Sequence, residues 1–344
     1  MGRADASGKS QRTGQPAGVV AVGASAGGVE ALTAVAAGLP EDLPYALLVV
    51  LHMPSGGSSR LASILDRSGP LPAVPATDEA ALHSGRIYVC VPDHHLLMLE
   101  HRVMLSQGPS ENGYRPAINA LFRSVALAYG PRAIGLLLSG VLDDGVLGTA
   151  AIRARGGTTV AQEPGDAAFA AMPQHAIEAG LVDHTVAAAD VGRLLAKLAE
   201  REIGGSRMER DTNMELENRI AMGRRFSVAF DSAELGPPAG YVCPDCNGSL
   251  HAVTSGSFRC HVGHAWTADS LLRSQDEEVE KALWVALRSL QEKSKLARRM
   301  HESARQVALR RRYAAVADES EHAMKVLSER LADVYGNERE HGAG

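Results

Sequence analysis

Between about residues 17 and 200, apolar runs of strand length alternate with segments of helical period, and that rhythm restricts the fold more than any single motif. Val19-Val20-Ala21-Val22 and Ala46-to-Leu51 are unbroken apolar runs, the pattern of parallel strands covered on both faces. Arg86-to-Val91, Ile134-to-Leu138 and Thr158-to-Ala161 read as further strands, and Leu96-to-Leu99 with Arg102-to-Leu105 as a hairpin. Helices are expected over 28–37, 58–67, 117–129, 145–155, 173–179 and 190–201. The expected fold class is α/β, a doubly wound and mainly parallel sheet with helices on both faces. Aromatic residues make up only 4% of a chain that is 45% hydrophobic. Ala, Val, Leu and Gly must therefore supply most of the packing.

The balance of charge narrows the partners. A net charge of -5 argues against a general nucleic-acid binder, which carries a basic face. Four cysteines in 344 residues make no disulfide framework and fit a reducing, cytoplasmic location. The sequence lacks the ~20 continuous apolar residues of a membrane span. Arg3, Lys9 and Arg12 ahead of the apolar run ending in Ala24-Ser25-Ala26 imitate a secretory leader. Glycine interrupts that run, and cleavage there would remove the first strand, so we read 1–16 as a disordered N-terminus instead.

Three of the expected strands end in reactive side chains. Val19-to-Val22 runs into Gly23-Ala24-Ser25-Ala26-Gly27-Gly28, a strand–turn–helix with the G-x-S-x-G spacing of a nucleophile elbow. A glycine-rich first turn also suits phosphate binding or close helix packing. The second strand ends in Leu51-His52-Met53-Pro54, so His52 emerges at the carboxyl edge, where such sheets bind ligands. The plainer reading is a strand-capping histidine. The strand at 134–138 leads to Ser139-Gly140-Val141-Leu142-Asp143-Asp144-Gly145, where either aspartate could be a helix N-cap. Ser, His and Asp at three strand ends make a stronger signal than any one of them.

With those motifs in order, residues 17–201 resemble the catalytic domain of the chemotaxis protein-glutamate methylesterases. Tyr88-to-Leu96, Tyr114-to-Phe122 and Met172-to-Gly180 resemble that family as well. The resemblance implies Ser25 as nucleophile, His52 as general base and then acid, and Asp144 as the orienting carboxylate, since the family's acid directly precedes a glycine. It implies an oxyanion and substrate vicinity at Ala26, Gly27 and Val141. The reaction implied is hydrolysis of glutamate γ-methyl esters on a methylated chemoreceptor or similar signalling protein, needing no catalytic cofactor, with glutamine deamidation by the same acyl chemistry. The sequence departs from the family's T-G-M-G-x-D-G, with Val141 and Leu142 replacing Met and Gly. The well-known members carry an N-terminal receiver domain, for which the residues ahead of Val19 leave no room. A signalling scaffold with a methylesterase-like domain, or an esterase for a non-receptor ester, are the competing readings.

The C-terminal part changes character. Residues 202–240 read as a linker with a short helix near 213–222. A Cys/His module follows at 241–266: Cys243-Pro244-Asp245-Cys246 and then Cys260-His261-Val262-Gly263-His264. That spacing suits a structural zinc held by Cys243, Cys246, Cys260 and His264 in a zinc-ribbon-like fold, with His261 as the rival ligand and a redox CxxC as the alternative. Tyr241, Phe258 and Trp266 are its expected small core. From 267 to 336 a helical tail is expected, capped by Thr267 or Asp269. Val279, Leu283, Ala286, Leu290, Ala297, Met300, Ala304 and Val307 keep 3–4 spacing, with Lys293 at one seam position. The tail is then one long coiled-coil helix or a hairpin broken near Arg310-Arg311-Arg312, suited to self-association or partner binding. His83, His94, His95, His101, His175 and His184 are expected at the surface or in packing roles, and Cys90 as a small buried hydrophobe.

Overall fold

The structure, a computed structural model, describes residues 14–53, 59–201, 210–223, 235–254 and 256–341. Residues 1–13, Pro54 and parts of the expected linker (202–209 and 224–234) lie outside those residues. The first half of the chain runs β1 (Gly18–Ala24), α1 (Gly28–Gly38), β2 (Tyr45–Leu51), α2 (Leu61–Ser68), β3 (Ala73–Pro75) and β4 (Arg86–Val89). The hairpin β5 (His95–Leu99) and β6 (Arg102–Ser106) follows, then α3 (Ile118–Tyr129), β7 (Ala133–Leu137), α4 (Val146–Ala154) and β8 (Thr158–Gln162). After these come α5 (Ala171–Glu178), β9 (His184–Val186), α6 (Val191–Ala199) and α7 (Thr212–Ala221).

Seven of these strands form one parallel sheet in the order β3-β4-β2-β1-β7-β8-β9. Alternation along β1 divides the core in two. Val20, Val22 and Ala24 face α1, α2 and α6 through Leu32, Val35, Leu65 and Leu195. Val19 and Ala21 face α3, α4 and α5 through Leu121, Phe122, Ile152 and Met172. All of β1 is buried, because a central parallel strand is covered on both sides. The sheet reverses direction of growth between β1 and β7, the place where doubly wound folds open a crevice at the strands' carboxyl ends. Register sets that edge, since Gly23 lies opposite both Val50 and Leu137. The chain therefore leaves β1, β2 and β7 at one level. Two strands escaped the sequence reading, β3 and β9, each three residues long and with β3 flanked by prolines.

The segment read as a linker carries α7, which is capped at Asp211 by a bond from Met214 N–H (2.9 Å). Its Ala221 and Met222 join Leu97, Met104, Ala117 and Ala120 in a third apolar cluster. An antiparallel sheet of β10 (Pro238–Val242), β11 (Ser249–Thr254), β12 (Ser257–Cys260) and β13 (Ala265–Thr267) forms the Cys/His module. The chain divides into two compact units, one up to Ser270 and the other from Leu271. The first thus holds the α/β domain and the module together.

The second unit is built from α8 (Ala268–Ser303) and α9 (Val307–His341), which run antiparallel. Arg298 pairs with Asp318 (2.8 Å) and Glu321 (3.0 Å), and Ser294 donates to Glu321 at 2.8 Å. The break falls at 304–306 rather than at the arginine run, without glycine or proline. Buried Ser294 and Ala297 occupy the seam where Lys293 was expected, and Lys293 is exposed. Val279, Met300 and Val307 of the expected seam are also exposed.

Candidate active site

Ser25 stands immediately after β1, and its turn is held by groups that follow β7. The Ser25 N–H donates to the Ser139 carbonyl (2.9 Å). Ser139 Oγ donates to the Ala26 carbonyl (2.8 Å) and accepts from the Phe169 N–H (3.0 Å). Gly27 has φ +67, a left-handed value open to glycine at little cost. A side chain at Gly140 would sit 2.9 Å from the Ser25 Cβ, so glycine there lets the two loops close on each other.

His52 reaches Ser25 with Nδ1, 3.1 Å from Oγ, and Asp144 with Nε2, 2.8 Å from Oδ2. A carboxylate only accepts, so Nε2 carries the proton and Nδ1 is left to accept from the Ser25 hydroxyl. The His52 and Asp144 side chains are only 5% and 2% exposed, which keeps water from competing for this bond. Asp144 also accepts from the N–H groups of Ile118 (2.7 Å) and Asn119 (3.2 Å), at the start of α3. Unpaired N–H groups and the helix dipole make that end of α3 a good seat for an anion. The structure thus brings together the three residues that the sequence reading placed at three strand ends. Ala26, Gly27 and Val141 line the same turns, all partly exposed.

Tyr114 and Asn119, beside this line, were given no role of their own from the sequence. Tyr114 stacks on His52, ring centroids 3.8 Å apart and planes 5° from parallel. It follows Asn112-Gly113, both at positive φ, the requirement of a type I′ turn. The Asn-Gly pair was the readable signal for that turn. Asn119 accepts from the N–H groups of Gly145 (3.0 Å) and Gly148 (2.7 Å), capping α4 from across the site. His95 is fully buried, donating to the Pro109 carbonyl (2.9 Å) and accepting from the Ala117 N–H (3.2 Å). Burial holds its pKa below the ordinary value. Leu142 lies at φ +62, a left-handed conformation that the family's glycine would adopt freely. His175 donates to its carbonyl at 3.0 Å. Cys90 is buried, and that burial pushes its thiol up to about 12, as suits an inert packing residue.

The Cys/His module lies against this site. Its Asp245 and His264 line, with Ser25, His52, Tyr114 and Arg115, a cleft of about 650 Å³. Cys243, Cys246, Cys260 and His264 offer ligand atoms all within 4.8 Å of one another. The expected three-aromatic core is not what fills the module. Only Trp266 is buried, whereas Tyr241 is 48% exposed and packs edge-on against Phe258. The buried positions beside it include Cys243, Leu250, Cys260 and Arg259. Arg259 is held by Glu111 (3.2 Å) of the α/β domain, by Glu217 (3.5 Å) of α7 and by the Gly263 carbonyl (2.6 Å). Arg123 shares both carboxylates. Burial pushes Glu111 up, but the Arg123 and Arg259 guanidiniums outweigh it and hold the carboxyl down at about 2.

Fold and site together define a doubly wound α/β domain carrying a hydrogen-bonded Ser–His–Asp line at its switch point. The chain belongs to the CheB methylesterase family, whose model matches residues 20–195. It is 44% identical over 171 residues to a protein-glutamate methylesterase/protein-glutamine glutaminase of Anaeromyxobacter dehalogenans, covering 49% of this chain and 50% of that protein. A protein of the same description from Myxococcus xanthus is 38% identical over 189 residues, covering 55% and 53%. The chain spans about half the length of these curated relatives. Among solved structures it resembles the Thermotoga maritima CheB methylesterase catalytic domain, with a TM-score of 0.51 and 29% identity over 53% of this chain and 98% of that one.

Proposed function

We propose that this protein hydrolyses glutamate γ-methyl esters on a methylated chemoreceptor or similar signalling protein, with Ser25, His52 and Asp144 as its catalytic triad. The unbroken hydrogen-bonded line from Ser25 Oγ through His52 to Asp144 carries this reading. Ser25 Oγ attacks the ester carbonyl carbon while its proton passes to His52 Nδ1, and Asp144 stabilises the imidazolium. His52 then returns that proton to the departing methoxy group, the C–O bond breaks, and methanol leaves an acyl-Ser25. Water attacks this acyl group, His52 taking its proton and passing it to Ser25 as the glutamate carboxylate departs. With glutamine as substrate, ammonia leaves in place of methanol. The Ser25 N–H is committed to Ser139, so the donors we assign to the oxyanion are the backbone N–H groups of Ala26, Gly27 and Val141.

The Cys₃His set fits a structural zinc. Sulfur–nitrogen distances of 3.5 and 3.7 Å and a sulfur–sulfur distance of 3.6 Å match the edges of a tetrahedron with bonds of about 2.0–2.3 Å. Four protein ligands close such a site, so zinc would supply folding energy and no open coordination position. His264 supplies the nitrogen in this set, and the His261 ring lies against Gly248 instead. None of the four cysteines is paired in a disulfide, which supports a reducing, cytoplasmic setting. Among the described residues, no helix is long and apolar enough to cross a membrane. Exposed Val279, Trp284 and Val285 on α8 support reading the helical tail as a surface for self-association or a partner.

Methanol release from methylated chemoreceptor, with Ser25→Ala as control, tests the function. Serine-dependent release is expected. Folded protein that releases none would sink this substrate and favour the scaffold or another ester.

A further inference from the structure

Two neighbouring aspartates face opposite ways at the end of β7. Asp144 turns inward to His52 and α3. Asp143 turns to the module, where its Oδ1 accepts from Thr267 Oγ1 (2.9 Å) and Ser270 Oγ (3.0 Å). Thr267 is also the N-cap of α8, accepting from the Ser270 N–H at 3.3 Å. Leu142 immediately before them is in a left-handed conformation, which a β7–α4 turn keeps only when its surroundings enforce it. A second grip acts on the other side of His52. The Asn112 N–H donates to the Ala265 carbonyl (2.7 Å), the Ala265 N–H to the Ser110 carbonyl (3.1 Å), and the Thr267 N–H to Asn112 Oδ1 (2.8 Å). The turn bearing Tyr114 is thereby bound along β13. Buried Arg259, paired with Glu111 in the same turn, fixes where that strand sits.

We propose that the Cys/His module completes the esterase site: through Asp143 it holds the Asp144 turn, and through Asn112 it holds the Tyr114 ring on His52. Asp143, Asn112 and Thr267 are then positioning residues for the hydrolysis, which rests on the triad reading above. None of them touches the reacting atoms. They act by keeping the carboxylate and the ring stack within the small displacement that catalysis tolerates, since a shift of about 1 Å costs on the order of 100-fold in rate.

The test uses the full chain and p-nitrophenyl acetate, a small ester that needs no docking of a receptor. Asp143→Ala and Thr267→Val are expected to lower kcat by roughly 10- to 100-fold with KM changed less than about twofold. Asp143→Asn and Thr267→Ser, which keep an acceptor oxygen and a hydroxyl, restore most of that loss. A readout independent of turnover is the low-field proton signal of His52 Nε2–H, which broadens through faster water exchange in the Ala and Val variants and recovers in the Asn and Ser variants. Wild-type kcat and an unchanged low-field signal in both Asp143→Ala and Thr267→Val would overturn the proposal. So would an Asp143→Asn loss as large as that of Asp143→Ala. Failure of the receptor reading shows separately, as Ser25-dependent ester cleavage without methanol release from receptor. If Ser25-dependent cleavage is missing altogether, the His52 signal alone decides the positioning role.

Discussion

The α/β domain and the Cys/His module meet at one cleft but are held together by different physics. In the domain, β1 and β7 are buried throughout and β2 all but its last residue, and alternation of Val, Ala and Leu assigns each side chain to one helical layer. Position follows from register, and no polar bond is needed to set it. In the module the buried set includes two thiols and a whole arginine. Such a core gains little from burial alone, because an uncompensated charge costs several kcal/mol to desolvate. Its shape depends on partners: four ligand atoms brought together, and two carboxylates supplied by the domain and α7. The site draws on both. Ser25 and His52 take their level from the sheet, whereas Asp143 and the Tyr114 turn take theirs from the module.

The proposed zinc should separate the two most clearly. Purified protein is expected to hold close to one equivalent of zinc. Chelation or Cys243→Ser should then unfold the module while the apolar sheet keeps its own cooperative transition, as structural zinc contributes about 10–16 kcal/mol in comparable small folds. Scanning calorimetry should show the sheet's transition persisting with the enthalpy of the module lost. Ester cleavage should drop by about 10- to 100-fold without vanishing. Less than half an equivalent of metal, together with an unaltered melting profile in Cys243→Ser, would count against the whole contrast.

The buried ion pairs give a smaller and pH-dependent effect. Arg259→Met leaves Glu111 with Arg123 only and should cost about 3 kcal/mol. Glu111 is held at about 2, below its ordinary 4.5, so its contribution is complete above pH 4.5 and fades as the pH falls from there toward 2. His95 acts in the same direction, since burial disfavours its protonated form. Its contribution is complete above its ordinary 6.5 and declines as the pH drops below it. Melting temperature should therefore decline on acidification below about 6.5 and more steeply below 4.5. The steeper limb should flatten in Arg259→Met. An acid limb unchanged in that variant would show that the Glu111–Arg259 pair does not set it.

This division also explains what could be read from the amino-acid sequence. Apolar periodicity reports elements covered by apolar layers, so β1, β2, β7, β8 and the helices between them were legible to within about two residues of their ends for the most part. Ser25, His52 and an aspartate at 143 or 144 followed, because strand ends in a parallel sheet share an edge, and the family resemblance chose Asp144. The three cysteine candidates were legible from spacing, which left His264 and His261 as rivals for the fourth place. What spacing does not report is which surfaces meet. Arg259 looks like an ordinary charged residue on a short strand, and its burial depends on Glu111 and Glu217, both far away in sequence. Asp143 reads as a spare carboxylate beside Asp144 until Thr267 and Ser270 are set against it. Tyr241 and Phe258 were assigned to a core because they are apolar, but the module's buried face is turned to the α/β domain and filled by Arg259.

The smallest expected effect lies where the two regions share a single turn. Leu142 pays a left-handed backbone penalty of about 1–2 kcal/mol that glycine would not, while glycine loses about 0.5–1 kcal/mol more in chain entropy on folding. Leu142→Gly should therefore stabilise the first unit by about 0.5 kcal/mol, or roughly 1–2 °C in melting temperature. If the module supplies the constraint on this turn, the gain should shrink once Asp143→Ala has released it, since a freed turn lets Leu142 leave the strained conformation and only the entropic cost of glycine remains. Combining the two substitutions measures that coupling directly. Strict additivity would mean that the sheet alone sets the turn, and that the module merely rests against it.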